Sequence, residues 1–467
     1  MGVLASPSYS LTPSSSKTVS PNNYLTSAEF TWLQQYLPDT YEKEFERYGN
    51  RTISSFLRMV GAELPTNSDL IKWAEQGRLH TKFTGVTLGS YTGAETTQTL
   101  TFTAAHNLRV GQTIFISDET AGSSFSNKAI VTDAAPGAVV TDATVAYYEA
   151  TQAAYAAAST TTIFVYGSEF NKGASGMTGS LDAEDDIFSN KPIIIKDKYL
   201  VSGSDMAQIG WIEITTENGA GGYLWYLKSE HETRLRFEDY LEMAMVEGVP
   251  AAAASGVSAL SATGQLGNQG TEGLFYVVEN RGNVFSGTPA ALADFDAIIQ
   301  RLDKQGSIQE NALFINRATS FAIDDILAAQ NSYGAGGTSY GLFDNDEEMA
   351  LNLGFSGFKR GYEFYKTDWK YLNDATLRGG ITGGNINGVL VPAGSTTVYD
   401  QVLGKNAKRP FLHVRYRASE SEDRRMKTWI TGSAGGAATS DLDAMEVNFL
   451  SERALCTMGA NNFFLFT

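Results

Sequence analysis

The stretch "GGYLWYLKSEHETRLRFEDYLEMAMVEGVP" (residues 221–250) decides how the rest of the chain is read. It opens on a glycine pair, runs without Gly or Pro from Tyr223 to Glu247, and stops at Gly248 and Pro250, the usual punctuation of a helix end. A helix of about 25 residues is roughly twice the mean length in globular proteins. Glu230 with Arg234, Glu232 with Arg236, and Arg234 with Glu238 stand at the spacing where opposite charges meet along one helix. Each such pair contributes only about 0.2–0.5 kcal/mol, too little to explain the length. Apolar residues gather instead toward the two ends: Tyr223, Leu224, Tyr226 and Leu227, then Leu235, Phe237, Tyr240, Leu241 and Met245. Two readings stand. One is a surface helix laced with salt bridges. The other is a strut that packs on its own domain at its ends and meets neighbouring subunits through Glu230, Glu232, Arg234, Arg236 and Glu238.

Outward from the helix, composition narrows the field. With 467 residues, 42% of them hydrophobic, the chain can build two or three compact units. No apolar run approaches the roughly 18 residues of a membrane span. The opening "MGVLASPSYSLTPSSSK" has neither the basic head nor the apolar centre of a signal peptide, so no secretion signal is expected. Cys456 is the single cysteine, which excludes an internal disulfide framework, and its apolar neighbours Leu455 and Met458 place it in a core. A net charge of −17 repels phosphate and argues against a broad face that grips nucleic acid. It suits a container that holds nucleic acid without sticking to it. The short basic runs "GKNAKRP" (404–410) and "EDRRMK" (422–427) read as solvated loops.

Along its length the chain changes character several times. Residues 1–25 are a polar arm rich in Ser, Thr and Pro. Two or three short amphipathic helices follow, dense in Phe30, Trp32, Tyr36, Tyr41, Phe45 and Tyr48. From about 81 to 216 the pattern turns to strands, and 96–161 reads as a small β module set into a longer β excursion. Beyond the long helix lies a linker at 251–270. An α/β unit then begins with a helix capped by Thr288 and Pro289, a buried strand "ALFIN" (312–316) and a second helix at 318–330. Near the end, "FLHVRYRAS" sets Leu412, Val414 and Tyr416 on one face and His413, Arg415 and Arg417 on the other, a clean two-residue period.

Motifs that carry chemistry fail their own tests. The glycine loop at 334–341 lacks the Lys and Ser/Thr of a phosphate-binding loop. His231 and Glu232 begin a zinc-protease pattern that Leu235 breaks. "FDNDEEM" (343–349) offers Asp344, Asp346 and Glu348 at calcium-loop spacing, but Met349 stands where Gly is required. The acidic turn "LDAEDDI" (181–187) reads as solvated. His80, His106, His231 and His413 lie in separate segments with no second cysteine to join them, and no GxSxG marks a nucleophile. Catalytic, cofactor-binding and metal residues are therefore assigned nowhere.

Polar arm, amphipathic helices, β excursion with an inserted module, long charged helix, α/β unit and closing strands follow in an order that resembles the major capsid protein of tailed double-stranded DNA bacteriophages. Order of parts carries the resemblance, which spans most of the chain; no short motif does. The resemblance implies an α+β fold of that capsid type. It implies an N-terminal arm with helices at 1–77, an extended loop at 78–216 carrying the module at 96–161, a spine helix and linker of a peripheral domain at 217–270, an axial α/β domain at 271–405, and returning peripheral strands at 406–467. It further implies a structural, non-enzymatic protein that self-assembles through hexamers and pentamers into an icosahedral shell around double-stranded DNA. Portal, scaffolding or decoration proteins would be its partners, with no sequence-specific DNA contact, cofactor or membrane. Its place would be the virion capsid, assembled in the host bacterial cytoplasm. An encapsulin-like compartment, which shares the fold, and a glycan-binding or hydrolytic β protein, which shares the Gly, Thr and aromatic richness, remain as alternatives.

Overall fold

The computed structural model describes residues 56–57, 62–77, 82–88, 94–118, 126–134, 142–152, 160–180, 185–207, 214–215, 221–222, 225–260, 268–305, 308–331, 357–400, 405–436 and 438–467. The arm at 1–25, nearly all of the aromatic helical segment, the glycine loop and Asp344, Asp346 and Glu348 lie outside the described residues. Helix and sheet are mixed, as expected, and the chain divides into two compact units. One comprises 73–188; the other comprises the rest.

Strands β1 (Ala62–Thr66) and β2 (Ile71–Gln76) lead toward the smaller unit, a closed barrel of β3 (Lys82–Leu88), β4 (Thr97–Thr101), β5 (Gln112–Asp118), β6 (Ser126–Ala134), β7 (Asp142–Tyr147) and β8 (Thr160–Ser168). Alternation dictates it: Leu100, Ile114, Ile116, Val131, Val145 and Ile163 point inward and are buried, while Thr and Lys take many of the positions between. Closure removes free edges. The barrel runs from 82 to 168, wider than the module expected at 96–161. Its His106 is a satisfied core histidine, Nε2–H donating to the Asp142 carbonyl (3.1 Å) and Nδ1 accepting from the Leu108 amide (3.3 Å). The chain leaves through β9 (Asp185–Asn190), which pairs with β2.

In the larger unit, β10 (Ile193–Ser202) is followed by the short pair β11 (Ile214–Thr215) and β12 (Gly221–Gly222) and by the long helix α1 (Trp225–Glu247). Then come α2 (Leu274–Arg281), β13 (Asn283–Phe285), α3 (Leu292–Gln305), β14 (Glu310–Ile315), α4 (Arg317–Asn331), β15 (Gly357–Arg360), β16 (Tyr362–Asp368) and β17 (Gly388–Pro392). The pair β18 (Ser395–Asp400) and β19 (Lys405–Pro410) precedes β20 (Leu412–Arg417), β21 (Lys427–Gly432), β22 (Ala444–Thr457) and β23 (Phe464–Phe466). The run 404–410, expected as a loop, is thus largely a strand.

Two sheets organise these elements. A six-stranded sheet, β13-β23-β17-β14-β16-β15, is buried on both faces along its central strands β23, β17 and β14. Leu313, Ile315, Leu390, Phe464 and Phe466 face Phe295, Ile298 and Leu302 of α3 and Ile323 of α4. Phe314, Val389, Val391 and Leu465 face the opposite core with Leu274 and Val278 of α2, Phe56 and Trp369. Strands covered on both sides read as unbroken apolar runs, which is why "ALFI", "GVLVP" and "FLF" carry no alternation. The second sheet has the order β1-β20-β22-β10, with β21 on the same edge of β22 as β20. Two memberships differ from the expected division. β10, assigned to the extended loop, pairs along ten residues with β22, because Ile195, Tyr199 and Val201 pack beneath α1. β23, assigned with the returning peripheral strands, lies between β13 and β17, where its three apolar residues are covered on both faces.

Candidate subunit interface

Helix α1 earns its length by serving two cores. Phe237, Leu241 and Met245 recur every fourth residue on one side, and all three are buried. Phe237 and Leu241 sit on β10 and β22 against Val201, Met445, Val447 and Phe449, with the Phe237 and Phe449 rings stacked at 5.6 Å. One turn later Met245 and Val246 enter the core of Phe56, Leu274 and Trp369. Side chains before Ser229 lie outside the described residues.

The charged middle of the helix is committed partly to its own sheet. Arg234 Nε meets Glu238 Oε1 at 3.4 Å, the expected pair four residues apart. Arg236 crosses to β10, its Nε 3.0 Å and its terminal nitrogen 2.9 Å from Asp197 Oδ2, a partner 39 residues distant. Glu230 lies beside Tyr199, whose hydroxyl is pushed up to about 12, first by burial and further by that carboxylate. Glu232 is half-buried, and among the five candidates only Arg234 is exposed.

The opposite face of this sheet has no helix on it among the described residues. Strand alternation sends Ile195, Tyr199 and Val201 to α1 and sends Ile194, Lys196, Lys198 and Leu200 outward. Ile194 is 54% exposed and Leu200 51%. Register places them beside Glu446 and Glu452 of β22, while β21 adds Lys427 and Trp429 opposite Leu450 and Asn448. Lys198 Nζ lies 3.4 Å from Glu446, and Lys427 Nζ lies 5.8 Å from the centre of the Trp429 ring. Among the described strands β10 is an edge, offering unpaired backbone groups along its free side. Apolar and aromatic side chains set among charges, with an open strand edge, are the makings of a protein–protein contact.

Contacts that hold this frame together carried no local signal. Asn190, buried at the end of β9, donates through Nδ2 to the carbonyls of Leu455 (2.7 Å) and Glu272 (3.0 Å). Its Oδ1 accepts from the Glu272 and Lys191 amides, both at 2.8 Å, and from the Thr271 hydroxyl at 3.1 Å. At the end of α1, Glu247 accepts from the Tyr371 hydroxyl (2.7 Å) and from Arg378 (3.1 Å). The basic run at 422–427 is tied rather than solvated: Arg424 meets Glu452 at 2.9 Å, and Arg425 pairs with Glu63. Among the described residues no cluster of three or more His, Cys, Asp or Glu side chains forms, and no helix is long and apolar enough to cross a membrane.

No family model matches the sequence, and no curated protein matches it. Among the solved structures similar to it are several from bacteriophages. One from Mycobacterium phage Ogopogo is 11% identical, covers 95% of this chain and 99% of its own, and has a TM-score of 0.39. Another, from Microbacterium phage Oxtober96, is 9% identical over 95% of this chain and 98% of its own, with a TM-score of 0.38. The asymmetric unit of the bacteriophage PhiM1 mature capsid is 9% identical over 65% of this chain and 78% of its own, with a TM-score of 0.32. The chain is thus similar to structures of phage origin, one of them a mature capsid.

Proposed function

We propose that this chain is a structural shell subunit, a major capsid protein of the tailed double-stranded DNA bacteriophage type. In this reading α1 is the spine, the barrel unit is carried on the β excursion, and the six-stranded sheet with its helices is the axial part. Copies join through hexamers and pentamers into an icosahedral shell in the virion, assembled in the host bacterial cytoplasm. The shell encloses DNA without reading its sequence, which a net charge of −17 favours. Portal, scaffolding or decoration proteins would be its partners. The role is structural and not enzymatic.

The observation that carries the reading is the outer face of the β10 sheet, where Ile194, Leu200 and Trp429 stand exposed beside a ten-residue strand edge. A shell subunit needs faces that stay folded alone and become covered by copies of itself. Charges interspersed on the face, and Arg234 outward on α1, allow contacts whose angle varies slightly between settings. Negative-stain imaging of the full chain, purified and concentrated, tests the proposal. Closed isometric particles are expected, and a chain that stays monomeric over the whole concentration range sinks it. Particles from the native source that hold protein cargo and no DNA would favour a protein compartment.

A further inference from the structure

The barrel carries an open groove of about 620 Å³ on its outer surface, within the range of about 300–1,000 Å³ common for ligand sites. A break in strand register builds it. Thr113 stands opposite Gly167 but Ile114 stands opposite Val165, so Tyr166 is the extra residue of a bulge, and bulges re-aim side chains. Tyr166 and Tyr148 are each 48% exposed and line the groove together with Lys128, Ser168 and Glu169. Beneath them lies Thr113, which alternation turns away from the barrel interior while Ile114 and Ile116 fill it.

Two features show a site already organised. The Tyr148 hydroxyl donates to Glu169 Oε2 at 2.5 Å, which fixes the ring and the carboxylate together. Glu169 is held from behind by its amide, which donates to the Gly111 carbonyl at 2.9 Å. Gly111 has φ +88°, and the Phe170 ring lies 2.5 Å from where a Cβ would stand, so only glycine seats this corner. The second feature is a closed floor. Thr113 is only 4% exposed, and its hydroxyl oxygen is shut off from solvent beside Gly167.

We propose that this groove binds an uncharged oligosaccharide. Its polar set is mixed: Lys128 only donates, the Glu169 carboxyl group already accepts from Tyr148, and the Ser168 hydroxyl does both. Sugar hydroxyls donate and accept in the same way, and the C–H faces of the ring match the two tyrosine faces. A polyanion would meet the Glu169 carboxylate, and a wholly apolar ligand would strip Lys128 and Ser168 of their water partners. Positions that are already held in place reduce the ordering cost of binding.

The test is titration of the full chain with maltohexaose, cellohexaose, chitohexaose and, as the anionic control, a heparin hexasaccharide, followed by calorimetry and saturation-transfer NMR. At least one neutral hexasaccharide should bind with Kd of about 1 mM or tighter. Tyr166→Ala should weaken it by about tenfold or more. The proposal is overturned if no neutral sugar binds at about 10 mM, if binding survives Tyr166→Ala, or if the heparin fragment binds more tightly. Since Tyr166 is half-exposed, its variant tests the site without disturbing the barrel core.

Discussion

Replacing Ile194 and Leu200 together by Thr probes the open sheet face directly. Both side chains project from the edge strand β10 on the side away from α1, one 54% and the other 51% exposed. Thr keeps the strand preference of the backbone, and half-exposed positions away from a core change subunit stability within about 0.5 kcal/mol. Burying a whole Ile or Leu contributes about 1.5–3 kcal/mol, so covering the half left open is worth about 0.8–1.5 kcal/mol at each residue and about 1.5–3 kcal/mol for the pair. That corresponds to a factor of about 15–150 in the association constant of each contact. Sedimentation velocity over a concentration series reads the assembly, and urea unfolding of dissociated subunits reads the fold. Expected is a shift of assembly to higher concentration with an unchanged urea midpoint. Assembly that is unaffected, or lost only in proportion to subunit stability, would refute the claim that this face is covered by another copy.

Three further outcomes follow from buried polar and ionisable groups. Asn190→Ala strips partners from the Leu455 and Glu272 carbonyls and the Glu272 amide, and a loss of about 3–5 kcal/mol in urea unfolding is expected; a loss below about 1 kcal/mol would show that water replaces the side chain. Burial holds the His413 imidazole down to about 4, helped by nearby Arg415 and Arg409, while Nδ1–H donates to the Pro410 carbonyl. The folded pKa lies below the unfolded value near 6.5, so the unfolded chain binds the extra proton. Stability should therefore be full above about pH 6.5 and fall by up to about 3 kcal/mol toward pH 4. His413→Asn should flatten that slope between pH 6.5 and 5, and an unaltered slope would assign it elsewhere. Burial raises the Cys456 thiol to about 12, so the native protein should resist a thiol-reactive dye that labels it fully in denaturant. Rapid labelling of the native chain would contradict the packing described.

Much of the frame was legible because its causes are local. Gly248 and Pro250 end α1 where they stand, and Phe237, Leu241 and Met245 at four-residue spacing require a helix with one side covered. The unbroken run around 312–316 announces a strand buried on both faces, and Leu412 with Val414 announces the covered face of β20. Cys456 in its apolar setting is buried as its neighbours require. The charge pairs of α1 were only half legible. Spacing along a helix identifies Arg234 with Glu238, but nothing near Arg236 reveals Asp197 on another element.

What only the tertiary structure decided is register and membership. Period-two patterning says that β10 and β23 are strands, yet not which sheet receives each, since any apolar face can pair with any other of similar length. Asn190 joins residues 81 and 265 positions away, and the groove gathers Thr113, Lys128, Tyr148 and Tyr166 from four separate segments around one bulge. Composition and local spacing set the elements because short-range sterics and hydrogen bonds act on neighbours in the chain. Interfaces and pockets depend on long-range pairing, whose outcome is settled by the burial of all the elements together.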